Sequence, residues 1–211
     1  MDKAVEAVFA EYDARAERES QAFRKMAAGE RFDRDALLLS VGRDTGSLLN
    51  TLIKGARSQS ILELGTSYGY STVWLAEAAR ETGGRVISMD VAPQKQEYAA
   101  RMLAKAGLAG QVEFRSGDVL ELLPSLAAGV DFVLLDIWKD VYIPCFDLLV
   151  PKLAPGAIVV ADNMLQPTAA LEQARAYRRH VHADPRFSTV LLPVGSGIEI
   201  SRMKGPDDTR A

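Results

Sequence analysis

Acidic and amide side chains stand where apolar runs of this sequence end. The run VDFVLLD closes on Asp136, three residues ahead of Lys139, and the run AIVVAD closes on Asp162, followed by Asn163. Brought side by side, two carboxylates and an amide oxygen make a hard oxygen site of the kind that holds Mg²⁺, with water completing the shell. Without a cation such acceptors repel one another. The alternative is that Asp162 and Asn163 merely begin a turn.

A second group of residues lies at earlier run ends. Glu63 precedes the turn Gly65-Thr66-Ser67-Tyr68-Gly69, and Ser71 follows it. This G-x-x-x-G turn lets backbone N–H groups approach a ligand closely, and it is not the G-x-G-x-x-G of dinucleotide binders. A carboxylate at Glu63 would repel a pyrophosphate but suits a ligand carrying a cationic amino group; a plain strand–helix turn is the other reading. Asp90 ends the next run, where nucleoside-binding α/β proteins grip ribose hydroxyls; alternatively it caps the helix that begins near Pro93. Asp118, after Gly117, suits an adenine amino group or a helix cap equally well.

The elements that must position these groups are legible from periodicity. Val5, Phe9, Tyr12, Ala16, Phe23 and Met26 predict an amphipathic helix over 4–26. Asp33 or Asp35 offers a cap, and Leu48, Leu49, Leu52 and Ile53 predict a helix over 44–56. From residue 60, strands at 60–64, 85–90, 112–116, 130–136 and 157–162 alternate with helices, including 119–127, 141–152 and 167–183. The end, FSTVLLPVGSGIEISRM, reads as a hairpin. Apolar strands alternating with helices predict a doubly wound, Rossmann-like α/β fold with a mostly parallel sheet. Such sheets bind ligands at the carboxyl ends of their strands. The expectation is one domain over 1–211, with N-terminal helices to 56, a core over 57–204 and a short tail.

The bulk properties exclude several classes. The chain has 211 residues, 48% hydrophobic and 25% charged, with a net charge of −3. The charged start is not a signal peptide, and no apolar run reaches membrane-spanning length; a cytoplasmic protein without membrane or nucleic-acid partners is expected. Cys145 is the single cysteine, which rules out an internal disulfide framework. Only two histidines, His180 and His182, argue against a His-rich zinc site. Tyr177, Arg178 and Arg179 beside His180 are read as a solvated helix face rather than a basic patch.

From Ser40 to Lys204 the chain resembles the catechol-type, metal-dependent O-methyltransferases that use S-adenosylmethionine (SAM). The resemblance is carried, in order, by SVGRDTGSLL, ILELGTSYGYST, VISMD, SGD, LLDIWKDVY, VVADN and LPVGSGIEI. It implies the class I methyltransferase fold, seven strands with a C-terminal antiparallel hairpin. It also implies roles. Val41 would make a backbone contact to SAM, and Glu63 would hold its amino group with Gly65 and Ser71. Asp90 would bind the ribose, Asp118 would lie by the adenine, and Trp138 would flank adenine and substrate. Asp136 (which also borders the SAM site), Asp162 and Asn163 would ligate Mg²⁺, with Mn²⁺ or Ca²⁺ as substitutes. Lys139 would be the catalytic base, which requires a neutral amine near pH 7, favoured by partial burial and a nearby cation; a surface lysine paired with Asp140 would instead have its pKa raised, so the two readings predict opposite shifts. Pro167 would line the substrate site with Lys139 and Asn163.

The implied reaction is in-line transfer of the sulfonium methyl to a phenolic oxygen whose proton Lys139 takes. The expected partner is a small aromatic bearing neighbouring hydroxyls. The chain departs from the family at four places. Ile137 stands where several animal-type members have histidine, and Ser196-Gly197 where many have Asp-Gly. Val190 falls near the carboxylate that orients catechol in the animal enzyme. Met164-Leu165-Gln166-Pro167 lacks the tryptophan-containing insert of the plant enzymes, which disfavours a CoA ester. The rival readings are a nicotinamide oxidoreductase, a non-catalytic SAM-binding interaction protein, and metal-free methylation of another acceptor. Residues 1–40 are expected to cap the substrate mouth or to form a homodimer contact.

Overall fold

The computed structural model describes residues 1–25, 36–205 and 208. The expected places of Met26, Asp33 and Asp35, and most of the predicted tail, lie outside them, as does the side chain of Phe23. Seven strands form one sheet: β1 (Ser60–Leu64), β2 (Arg85–Asp90), β3 (Val112–Ser116), β4 (Val130–Leu135), β5 (Leu153–Ala161), β6 (Phe187–Leu192) and β7 (Ile198–Met203). Their order is β3-β2-β1-β4-β5-β7-β6. The first five are parallel, while β7 runs antiparallel to β5 and to β6. The expected C-terminal hairpin is therefore the far edge of the sheet.

The helices are α1 (Lys3–Lys25), α2 (Gly42–Ala56), α3 (Tyr70–Thr82), α4 (Pro93–Lys105), α5 (Val119–Leu122), α6 (Tyr142–Leu149) and α7 (Leu171–Ala183). Three are shorter than the sequence predicts. Single 3₁₀ turns replace the end of α5 at Leu123–Ser125, the end of α6 at Val150–Lys152 and the start of α7 at Thr168–Ala170. Pro124 and Pro151 lie inside two of those turns, where a missing N–H and a fixed φ end a regular helix.

Strand residues alternate between the two faces. Leu62 and Leu64 of β1 pack with Val133 of β4, Val159 of β5, and Tyr142 and Phe146 of α6. Ile61, the residue before Leu62, faces Leu49 and Ile53 of α2 and Leu75 of α3. A third apolar cluster joins Val5, Val8, Phe9 and Tyr12 of α1 to Tyr70, Val73 and Trp74 of α3 and Met102 of α4. The i, i+3, i+4, i+7 spacing of the α1 residues is the stripe expected of a helix with one buried face. Helix α1 thus packs on α3 and α4. Among the described residues no helix is long and apolar enough to cross a membrane.

Candidate active site

Sheet register sets the site in a row. Leu64 of β1 pairs with Leu135 of β4, and Leu135 with Ala161 of β5. One residue further stand Gly65, Asp136 and Asp162. The Asp136 N–H donates to the Leu64 carbonyl at 2.9 Å, and the Asp162 N–H to the Leu135 carbonyl at 3.0 Å. On the other side, the Gly65 N–H donates to the Met89 carbonyl and the Gly117 N–H to the Asp90 carbonyl, both at 2.9 Å. Five strand ends therefore deliver Gly65, Asp90, Gly117-Asp118, Asp136 and Asp162 to one edge.

Gly65 is fixed there by two constraints. Its φ is +101°, and a Cβ on it would collide with the Asp136 carbonyl. Only glycine meets both requirements, and it lets the β1 turn and the β4 end come together.

Asp162 is only 2% exposed. Its carboxyl is pushed up to about 7, first by burial and then by the neighbouring Asp136; the Asn163 N–H and Lys139 pull it the other way. Asn163 donates that N–H to Asp162 Oδ1 at 2.6 Å and has a φ of +56°, a left-handed conformation asparagine tolerates well. Burial raises the Asp136 carboxyl as well, against the attraction of Lys139. Among the described residues no three His, Cys, Asp or Glu side chains form a metal-binding group, so a cation at this edge would depend on Asn163 as its third protein donor. A buried carboxylate whose proton affinity the half-buried Asp136 raises, beside an amide oxygen, fits a hard divalent cation and is poorly settled without one.

Lys139 points into this cluster. Its Nζ donates to the Tyr142 hydroxyl at 2.6 Å, the Asn163 Oδ1 at 3.1 Å and the Ile137 carbonyl at 3.2 Å. Its pKa is lowered by burial, with Asp136 and Asp162 opposing. Of the two readings of this lysine, the surface pair with Asp140 predicts a rise, and that reading is set aside. Tyr142 is the group that sequence reasoning missed. It is fully buried, and its hydroxyl donates to the Leu135 carbonyl at 2.8 Å. The available signal was the Lys139-x-x-Tyr142 spacing, which puts both on one face of an opening helix.

The predicted cofactor residues divide. Glu63 is fully buried, and its carboxylate accepts from the hydroxyls of Ser71, Thr72 and Ser88, each at 2.6 Å. Burial pushes its pKa up to about 7, and the three hydroxyls hold it from rising further. Ser71 thus stands in direct contact with Glu63. Asp90 uses one oxygen on the Ser67 N–H at 2.7 Å and the other on the Ala92 N–H at 2.9 Å, so it braces the Gly65 turn while steadying the entry to α4. Asp118 is exposed and caps α5 by accepting from the Leu120 N–H at 2.8 Å; the cap reading of this residue is realised in the fold. Val41 sits half-buried at the start of α2, packed against the same apolar cluster as Tyr68. Trp138 is 70% exposed at the rim beside Lys139. Pro167 is exposed beyond the 163–166 segment, whose Met164 and Leu165 N–H groups donate to the Gly197 and Ser196 carbonyls at 2.9 Å.

The α7 segment differs from a purely solvated face. Tyr177 is buried against Tyr142 and Phe146. Arg178 and His182 both reach the buried carboxylate of Glu199, at 2.7 and 2.9 Å, and His180 meets Asp147 at 2.7 Å.

Comparison with known proteins places this geometry. The family model described as O-methyltransferase matches residues 18–204. A catechol O-methyltransferase of Niastella koreensis is 33% identical over 157 residues, covering 72% of this chain and 70% of the relative. Caffeoyl-CoA O-methyltransferase 1 of Arabidopsis thaliana is 32% identical over 186 residues, covering 78% and 71%. Among solved structures, the O-methyltransferase TomG of Streptomyces achromogenes, in complex with SAM, superposes with a TM-score of 0.76 at 28% identity, over 97% of this chain and 91% of TomG.

Proposed function

The chain belongs to the O-methyltransferase family, and from that footing we propose that it transfers the methyl group of SAM to a hydroxyl of a small aromatic acceptor with neighbouring hydroxyls, assisted by Mg²⁺ or a similar divalent cation. The observation that carries the metal-assisted reading is the gathering of Asp136, Asp162 and Asn163 around a lysine whose pKa is lowered. The SAM-dependent reaction is supported by the family and by the SAM complex of TomG.

Bound SAM supplies a methyl on a positively charged sulfur, ready for displacement. A divalent cation supplies Lewis acidity that lowers the pKa of an acceptor hydroxyl. The remaining work falls to residues of this chain. Asp136, Asp162 and Asn163 would hold the cation, and their shared strand-end row fixes its place relative to the Gly65 turn. Lys139 would take the acceptor's proton at Nζ, which burial prepares by disfavouring the charged amine. The Gly65 turn, Ser71 and Glu63 would hold the methionine end of SAM, and Asp90 and Asp118 its nucleoside. Trp138, beside Lys139, and Leu165, beside the Asn163 loop and 42% exposed, offer an apolar rim to an aromatic ring. Positioning the methyl and oxygen in line supplies much of the rate.

Calorimetry tests this reading. SAM should bind the wild-type protein, and Mg²⁺ should then bind wild type but not Asp162→Ala. SAM binding without any Mg²⁺ binding to wild type would leave the family assignment standing and remove the metal-assisted mechanism.

A further inference from the structure

We propose that Arg15 of α1, with Tyr12 and Glu19, is a positioning device for the cofactor, tying the Gly65–Gly69 turn to the segment that leads into Val41. This rests on the reading above that both stretches contact SAM.

The polar groups on this face of α1 go to backbone and rings of those two stretches. Tyr12 is fully buried, and its hydroxyl donates to the Tyr68 carbonyl, inside the turn, at 2.7 Å. The Arg15 guanidinium lies 3.8 Å from the centre of the Tyr68 ring and 5.1 Å from that of Tyr98 on α4. Those two rings meet edge to face at 5.4 Å. The same guanidinium donates to the Ala36 carbonyl at 2.8 Å and to Glu19 at 2.6 Å. Glu19 in turn accepts the Leu38 N–H at 2.9 Å. Arg15 therefore lies over the Tyr68 ring while bonding Ala36, and its partner Glu19 holds Leu38. A planar, multi-donor cation can do both at once; an ammonium cannot.

The turn has reason to need such a hold. Gly65, Ser67 and Gly69 all have positive φ, Ser67 at +46°, a conformation that a non-glycine residue keeps only when its surroundings impose it. A turn already fixed in that shape loses little freedom when a ligand arrives, and this strengthens binding without any direct contact. Arg15 and Glu19 are half-buried: the Arg15 side chain is 17% exposed, and that of Glu19 21%. None of these three side chains reaches the Asp136–Asp162 cluster.

The test is SAM affinity by calorimetry, with thermal melts and Mg²⁺ affinity at saturating SAM as controls. Arg15→Met should weaken SAM about tenfold while Mg²⁺ affinity stays within twofold. Arg15→Lys should fall between, since it keeps a cation over Tyr68 but not the fork. Tyr68→Leu should weaken SAM as well, and adding Arg15→Met to it should cost less than Arg15→Met costs alone. A lowered melting temperature with SAM affinity within twofold of wild type would show a merely structural contact and overturn the inference. If Arg15→Met does not fold, wild-type SAM affinity in both Arg15→Lys and Tyr68→Leu overturns it equally. Failure of the wild-type protein itself to bind SAM would overturn the functional reading and this inference with it.

Discussion

Lys139 and Tyr142 meet through a 2.6 Å hydrogen bond from Nζ to the phenol oxygen, and the same phenol donates to the carbonyl of Leu135, the last residue of β4. The lysine head is thus tied to the end of the strand that carries Asp136. A flexible four-carbon side chain is given one place beside Asp136 and Asp162. Replacing Tyr142 with Phe removes the acceptor for Nζ and the donor for Leu135. Stability should fall by about 1–2 kcal/mol in denaturant melts. Losing an acceptor that favours the charged amine should lower the lysine pKa further, so the acid limb of the pH–rate profile moves to lower pH. A limb that stays or moves up would show that the phenol does not act on Lys139.

Replacing Lys139 with Met should act on chemistry and leave binding alone. Turnover at saturating SAM should drop by about 10²–10⁴-fold, the span of general-base catalysis, with SAM affinity changed less than about threefold. Loss of SAM affinity with turnover preserved would place Lys139 outside proton transfer.

Gly65→Ala tests the packing of the β1 turn on the β4 end. The added methyl meets the backbone carbonyl of Asp136, which has no flexible side chain to yield, at a φ of +101°. A loss of about 2 kcal/mol or more is expected in urea melts. Mg²⁺ affinity should fall too, because the clash displaces Asp136, one of the three proposed metal ligands. A variant with wild-type stability and metal binding would mean that the turn and Asp136 are not in contact.

Glu63 predicts a pH dependence of the ligand-free fold. Its pKa is raised from 4.5 to about 7 by burial, so between those values the folded protein keeps a proton that the unfolded chain has lost. Its stabilising contribution is present at low pH and is lost as pH rises through that window, by on the order of 3 kcal/mol in total. Glu63→Gln should flatten the fall in melting temperature between pH 5 and 7 relative to wild type. Parallel curves for the two proteins would show that Glu63 is ionised in the fold across the range.

Much of the edge that carries the site was legible in the sequence because strand ends obey register. Apolar runs ending in Asp90, Asp136 and Asp162 had to deliver those residues to one side of a parallel sheet, and a glycine turn after Glu63 had to join them. The less legible parts depend on contacts across long stretches of chain. Nothing in the spacing of α1 shows that Arg15 reaches Ala36 and Tyr68, or that Glu19 takes the Leu38 N–H. Arg178 reads as solvated until Glu199, on a different element, is seen buried beneath it. The early ends of α5 and α6 follow from prolines whose effect the apolar periodicity masked. Asp118 shows a different limit, since capping and ligand binding ask for the same residue at the same strand end.

Metal-assisted transfer at Asp136, Asp162 and Asn163 is the proposal on which the catalytic predictions depend. Its most direct test is single-turnover methyl transfer from SAM to a panel of phenols with neighbouring hydroxyls, measured after chelator treatment and again with added Mg²⁺, in wild type and Asp162→Ala. Chelation should lower wild-type transfer by about 10²-fold or more, and Mg²⁺ should restore it. Asp162→Ala should bind SAM within about threefold of wild type yet stay inactive with Mg²⁺ present. Transfer that persists at full rate in chelator, or in Asp162→Ala, would contradict it.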